Sequence, residues 1–144
     1  MGRETTVEYC VRLFQMNDSG TVALSIKRFV RESLGCTCPD EVFDTVKVIE
    51  NSDVFTPENT VYEIGGRLLV AVFVAETCPS ITADLGQLVD AGIGYRDQRG
   101  YNRFRLVIVL DNDDATARLQ KIFDALPARD EKTHLHVIKP EVLP

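Results

Sequence analysis

Four cysteines and two histidines carry most of the nucleophilic and metal-ligating capacity of this 144-residue chain: Cys10, Cys36, Cys38, Cys78, His134 and His136. Two of the cysteines stand in matching tripeptides, Thr37-Cys38-Pro39 and Thr77-Cys78-Pro79. Proline suits the first residue of a helix, where its missing N–H would have no partner anyway. Each cysteine is therefore expected to cap a helix N-terminus, where the dipole and unpaired N–H groups favour a thiolate. Asp40 and Glu41 oppose that effect at Cys38, whereas Cys78 has only Ser80 and the more distant Asp84 nearby. Cys78 is thus the candidate catalytic thiol.

Cys36-x-Cys38 brings two thiols close enough to hold one metal ion or to form a strained, easily reduced disulfide. With Cys78 there could be three thiolates, and zinc or an iron–sulfur group would need a fourth ligand from Cys10, a histidine or outside. His134 and His136 alternate on an expected strand and so share one face, from which they could supply nitrogen. The spacing is neither the paired C-x-x-C of zinc ribbons nor a ferredoxin run. Plainer roles compete with each of these. Free cysteine often behaves as a small buried hydrophobe, and the two histidines fit a solvated edge-strand face.

Arg96, Arg99, Arg103 and Arg105, with Tyr95 and Tyr101 among them, form the basic and aromatic cluster of the chain. Arg96, Arg99 and Arg103 are the candidate site for an anion, a nucleotide or an acidic partner surface. The competing expectation is a solvated loop whose arginine stems lie over the tyrosine rings. Asp111, Asp113 and Asp114 follow a strand as Mg²⁺-holding carboxylates do, but acids and Asn are also the preferred helix caps, and capping is the stronger reading. Gly92-x-Gly94 follows a helix and lacks a third glycine, so it is no dinucleotide motif.

The elements that must position these residues are legible from periodicity. Residues 7–13 alternate as a strand, with a helix following Thr6 as the alternative, and a turn cluster at 17–20 precedes a helix from Thr21 to about Leu34, closed by Gly35 in a left-handed conformation. A second short helix is expected from Pro39 to Val46, then a strand over 46–50. Residues 61–74 read as a hairpin turning at Gly65-Gly66, which supply two positive-φ positions. Its second arm, 68–74, is apolar on both faces, as a central strand is. A helix carrying Ile81, Leu85, Leu88 and Val89 ends at residues 91–94, followed by a polar connection over 95–103. A second wholly apolar strand spans 104–110. Asp111 to Asp114 then cap a helix with Ala117, Leu119, Ile122, Phe123 and Leu126 inward, stopped by Pro127. A last strand covers 133–138.

Strand, helix, strand, helix, strand in the second half implies parallel crossovers. The expected fold is a single α/β domain over 1–144 (α+β the alternative), with residues 1–20 an N-terminal strand or arm and 140–144 a tail. Its sheet is expected to be mixed and mostly parallel, of about five strands with helices on both faces, preceded by a helical pair. At the Cys-Pro helix start alone, the order strand–Cys-Pro–helix resembles thioredoxin-like proteins. No second cysteine follows Cys78 at that family's spacing and its C-terminal hairpin is absent, so its activity is not carried across.

A net charge of −6 and a pI near 4.9 give no basic footprint for nucleic acid or an anionic membrane. No apolar run reaches the roughly 20 residues of a membrane span, no secretory signal opens the chain, and sparse cysteines fit a reducing, cytoplasmic setting. Two functions follow as expectations. One is thiol-dependent redox or metal binding through Cys36, Cys38 and Cys78; whether it is enzymatic is open. The other is a non-catalytic interaction module with buried structural cysteines, pairing with a protein partner or as a homodimer through an exposed strand edge.

Overall fold

The computed structural model describes residues 26–35, 39–55, 58–74, 81–111 and 113–142, with the main chain alone at 81–84. Within them follow β1 (Val46–Glu50), β2 (Thr60–Ile64), β3 (Leu68–Val74), α1 (Ile81–Arg99), β4 (Arg103–Val109), α2 (Asp113–Asp124) and β5 (Thr133–Ile138). The five strands form one sheet in chain order, β1-β2-β3-β4-β5. β1, β2 and β3 are antiparallel neighbours, and β3, β4 and β5 are parallel. The domain is thus a single mixed α/β unit, and among the described strands the pairings divide evenly between antiparallel and parallel rather than being mostly parallel.

Local chemistry explains the turns. Gly65 and Gly66 take φ of 60° and 64° between β2 and β3, the positive-φ pair a tight hairpin needs. Gly65 also lies against Val42, where a Cβ would collide with the Val42 carbonyl. β3 is buried along Leu68 to Phe73 and β4 along Phe104 to Val109, as expected of strands covered on both faces.

The two faces are covered differently. On the first, Val61, Leu69, Phe73, Leu106 and Ile108 pack against Leu85, Leu88 and Val89 of α1 and Leu119 and Phe123 of α2. Two crossovers of the same hand that step the same way along a sheet bring their helices to one side, which is why α1 and α2 share this face. On the second, Tyr62, Ile64, Val70, Val72, Val107 and Val109 pack against Ile26, Phe29, Val30, Leu34, Val42 and Phe43. These last come from residues 26–34 and a short turn of helix, Asp40–Asp44.

Three further expectations are corrected. The segment before Gly35 widens at Phe29–Ser33, where the Leu34 N–H reaches the Phe29 carbonyl; Gly35 then closes it at φ 71°, as expected. Pro39 is extended (φ −61°, ψ 155°) and precedes a five-residue 3₁₀ turn. Pro39 is therefore not the first residue of a helix but stands at the N-cap position of that turn. Finally, α1 does not end at residues 91–94 but runs on to Arg99. Gly92 allows this, because it lies so close to the Phe104 ring that a Cβ would overlap it. The helix stops instead at Gly100, whose φ of 72° supplies the left-handed closing residue. The expected strand over 7–13 and the helix start at Thr21 lie outside the described residues. Among the described residues, no helix is long and apolar enough to cross a membrane.

Candidate functional site

The extension of α1 decides where the basic cluster goes. Arg96 is carried on the last turns of the helix and is buried, with 4% of its surface exposed. Its guanidinium grips Asp130 through two bonds, Nη1 to Oδ1 at 3.0 Å and Nη2 to Oδ2 at 2.8 Å. Nε donates to Asp97 at 3.0 Å, and Nη1 also to the Thr133 hydroxyl at 3.2 Å. This bidentate, charge-assisted contact ties the end of α1 to the start of β5. The Arg96 guanidinium and the Thr133 hydroxyl hold the Asp130 carboxyl well below the usual carboxylate range despite its partial burial.

Arg99, one turn on, lies over the Tyr95 ring with 5.3 Å between guanidinium carbon and ring centroid and 3.7 Å from Glu63. Glu63 is a buried carboxylate in β2 that accepts the hydroxyl protons of Tyr95 and Tyr101, one at each oxygen. Burial works to raise its pKa, but the two hydroxyls, Arg99 and Lys47 outweigh it and hold the carboxyl below its ordinary value. Burial and the Glu63 charge push the Tyr101 phenol up to about 12 and the Tyr95 phenol higher still. Both phenols stay protonated at neutral pH, so the cluster is a donor clamp on a carboxylate, not a base. Beside it opens a cleft of about 330 Å³ lined by Ile49, Asn51, Val54, Tyr95, Gln98 and Arg99, among others. Its rim is fixed by reciprocal bonds between Asn51 and Asn59.

Arg103 and Arg105 stand apart from these. They begin β4, two residues apart, and therefore share a face, the one opposite α1. Arg103 is exposed, and Arg105 is buried with 9% of its surface exposed. Across the parallel register Arg105 faces His134, and Val107 faces His136, which puts both histidines on the same side. Arg105 Nη1 donates to the Leu34 carbonyl at 2.8 Å and meets His136 Nε2 at 2.9 Å. A guanidinium has no acceptor, so Nε2 accepts and the neutral imidazole carries its proton on Nδ1. Burial, then the Arg105 charge, then His134 bring His136 down to about 4; burial and the two arginines also lower His134, against a smaller pull from Asp130. Both imidazoles are half-buried rather than on the solvated face expected for them.

What distinguishes Arg105 is what it lacks. Among the described residues its buried Nε has no hydrogen-bond partner and no carboxylate forms an ion pair with it. Burial and Arg103 depress its pKa, with no acid opposing them. A guanidinium stays charged in such a setting.

The structure thus separates the four arginines into two groups. Arg96 and Arg99 serve acids on the α1 side; Arg103 and Arg105 join His134 and His136 on the other. Cys10, Cys36, Cys38 and Cys78 lie outside the described residues. Among the described residues no group of three or more His, Cys, Asp or Glu is placed to hold a metal ion. The site's key pairing, Arg105 with His136, was open to discovery only by aligning two parallel strands. Glu63 did carry a signal: a lone charge inside the apolar run Val61-Tyr62-Glu63-Ile64. Comparison of the chain with protein-family models, with curated proteins and with solved structures gives no match.

Proposed function

We propose that the protein has a thiol-dependent role, in redox chemistry or in binding zinc or an iron–sulfur group, centred on Cys36 and Cys38, with Cys78 as a further thiol. The observation that supports it is the hydrogen bond from Arg105 to the Leu34 carbonyl. Leu34 stands two residues before Cys36 in the chain, so a buried guanidinium with no described counter-ion marks the entry to the thiol-bearing joint. Cationic surroundings lower a thiol's pKa and supply the thiolate that both metal binding and disulfide exchange require. A cytoplasmic, reducing setting belongs to the same proposal, because it keeps such thiols free.

The test is made on protein purified without oxygen: metal content, visible spectrum and the pH dependence of alkylation at each cysteine. The expected result is at least one thiol titrating below the ordinary value of about 8.5, moving up in Arg105→Met, or metal lost in Cys36→Ser. Metal-free protein whose thiols all titrate normally in both forms overturns the proposal. A second reading, a non-catalytic interaction module, is supported by β1. Among the described strands it pairs only with β2, and Val48 is 36% exposed on it, with Val54 43% exposed on the loop that follows. Concentration-dependent association, abolished by Val48→Lys, would favour that reading.

A further inference from the structure

We propose that Arg105 anchors a binding site for a small oxyanion, a phosphate group, on the sheet face it shares with Arg103, His134 and His136. The site needs no cysteine and goes beyond the thiol reading.

The argument starts from the donors of one guanidinium. Both hydrogen bonds of Arg105 leave from Nη1, to the Leu34 carbonyl and to His136 Nε2. Both acceptors are uncharged, so the contacts hold the side chain in place without neutralising it. The other edge of the fork, Nε with Nη2, makes no hydrogen bond to any described residue. Those two parallel N–H vectors are the ones that take two oxygens of a phosphate or carboxylate at once. Arginine orphaned in this way is uncommon, because buried side-chain polar atoms nearly always find a partner.

The surroundings choose the class of ligand. Arg103 lies on the same face and acts on Arg105 as a like charge. His134 is in register beside it. The acid that acts on His134, Asp130, is already held by both Nη atoms of Arg96. Two guanidiniums beside two imidazoles held neutral, with the nearby acid already occupied, leave this face locally positive in a chain that is acidic overall. A doubly charged phosphate gains more from it than a singly charged carboxylate does.

The experiment titrates inorganic phosphate into the full-length protein at low, constant ionic strength, followed by calorimetry or amide NMR, with acetate as the comparison anion. Saturable one-to-one binding is expected, with phosphate at least about tenfold tighter than acetate. Arg105→Lys keeps the charge and loses the fork, and should weaken binding by about tenfold or more. Arg103→Gln, at an exposed position that poses no risk to folding, should weaken it by about threefold. Cys36→Ser/Cys38→Ser should bind as the wild type does, whatever the thiol measurements show. No saturable binding by the folded wild type, binding unchanged in Arg105→Lys, or acetate preferred over phosphate each overturns the proposal. Binding absent from the wild type but present in the double serine variant would also overturn it. In that case the thiolates themselves neutralise Arg105, which upholds the thiol reading.

Discussion

Arg96 and Arg105 are buried to nearly the same extent, 4% and 9% exposed, yet they do opposite things. Arg96 spends its N–H groups on Asp130, Asp97 and Thr133 and in doing so joins α1 to β5. Arg105 spends two on uncharged acceptors and leaves a whole edge of its fork without a described partner. Removing water from a guanidinium costs several kcal/mol unless a well-placed anion compensates. Burial therefore says little about the role of a charge, and the state of its donors says much. A filled fork marks a structural tie; an open one marks a position kept available.

The largest effect expected from this contrast is at the filled site. Arg96→Met leaves Asp130 without its guanidinium, though Thr133 and the Lys132 N–H still donate to it, and should cost about 2–3 kcal/mol, no more than the lower bound for breaking a buried pair, because Asp130 reaches water. Urea unfolding of variant and wild type measures it, and a loss under about 0.5 kcal/mol would dissolve the distinction.

Next in size is the pH response of the open site. The His136 imidazole, ordinarily near 6.5, is held down to about 4 in the folded protein. The unfolded chain takes up that proton near 6.5 and the folded chain only near 4. Between those values the unfolded state binds more protons, so stability falls as pH falls through the window. Across it the loss should be about 2 kcal/mol, after allowing for the half-exposed ring. Urea midpoints from pH 7 to pH 4 should show this slope in the wild type and a flatter one in His136→Gln. Identical slopes would mean that His136 is not held neutral by its surroundings.

The smallest effect is expected at Arg105 itself. Arg105→Met removes an uncompensated charge and two hydrogen bonds to neutral acceptors, and these changes oppose each other. Stability should stay within about 1 kcal/mol of the wild type, far from the Arg96→Met result. A loss above about 3 kcal/mol would show that a counter-ion within the protein already fills the fork.

Much of the sheet was legible because its signals are local. Gly65-Gly66 announced a hairpin, and the unbroken apolar runs in β3 and β4 announced central strands. The alternation of strand and helix after residue 68 announced parallel crossovers. The end of α1 was misread because glycine at 92 and 94 looks like a stop. Only the tertiary contact with Phe104 shows that Gly92 is there for closeness, and with the helix continued, Arg96 moves from a loop into the interior. The helix expected at Pro39 shrank to a single 3₁₀ turn, since Val42 and Phe43 need only that much to reach the sheet. Composition grouped the four arginines by proximity in the chain; the continued helix and the alternation along β4 divide them by face. The meeting of Arg105 with His136 depends on which residue of β5 lies opposite which of β4, and no local pattern encodes it.

Strand order that follows chain order has a consequence for how the protein is made. Each strand joins the one synthesised just before it, so the β1–β2–β3 meander can form while the rest of the chain is still emerging. Until β4 arrives, however, β3 presents a free edge of seven residues, Leu68–Val74, apolar on both sides and without a single charge. Nascent or truncated chains that stop short of Arg103 would carry that edge unprotected, the kind of segment that recruits other strands into aggregates. The stretch from residue 75 to residue 102 sets how long that exposure lasts.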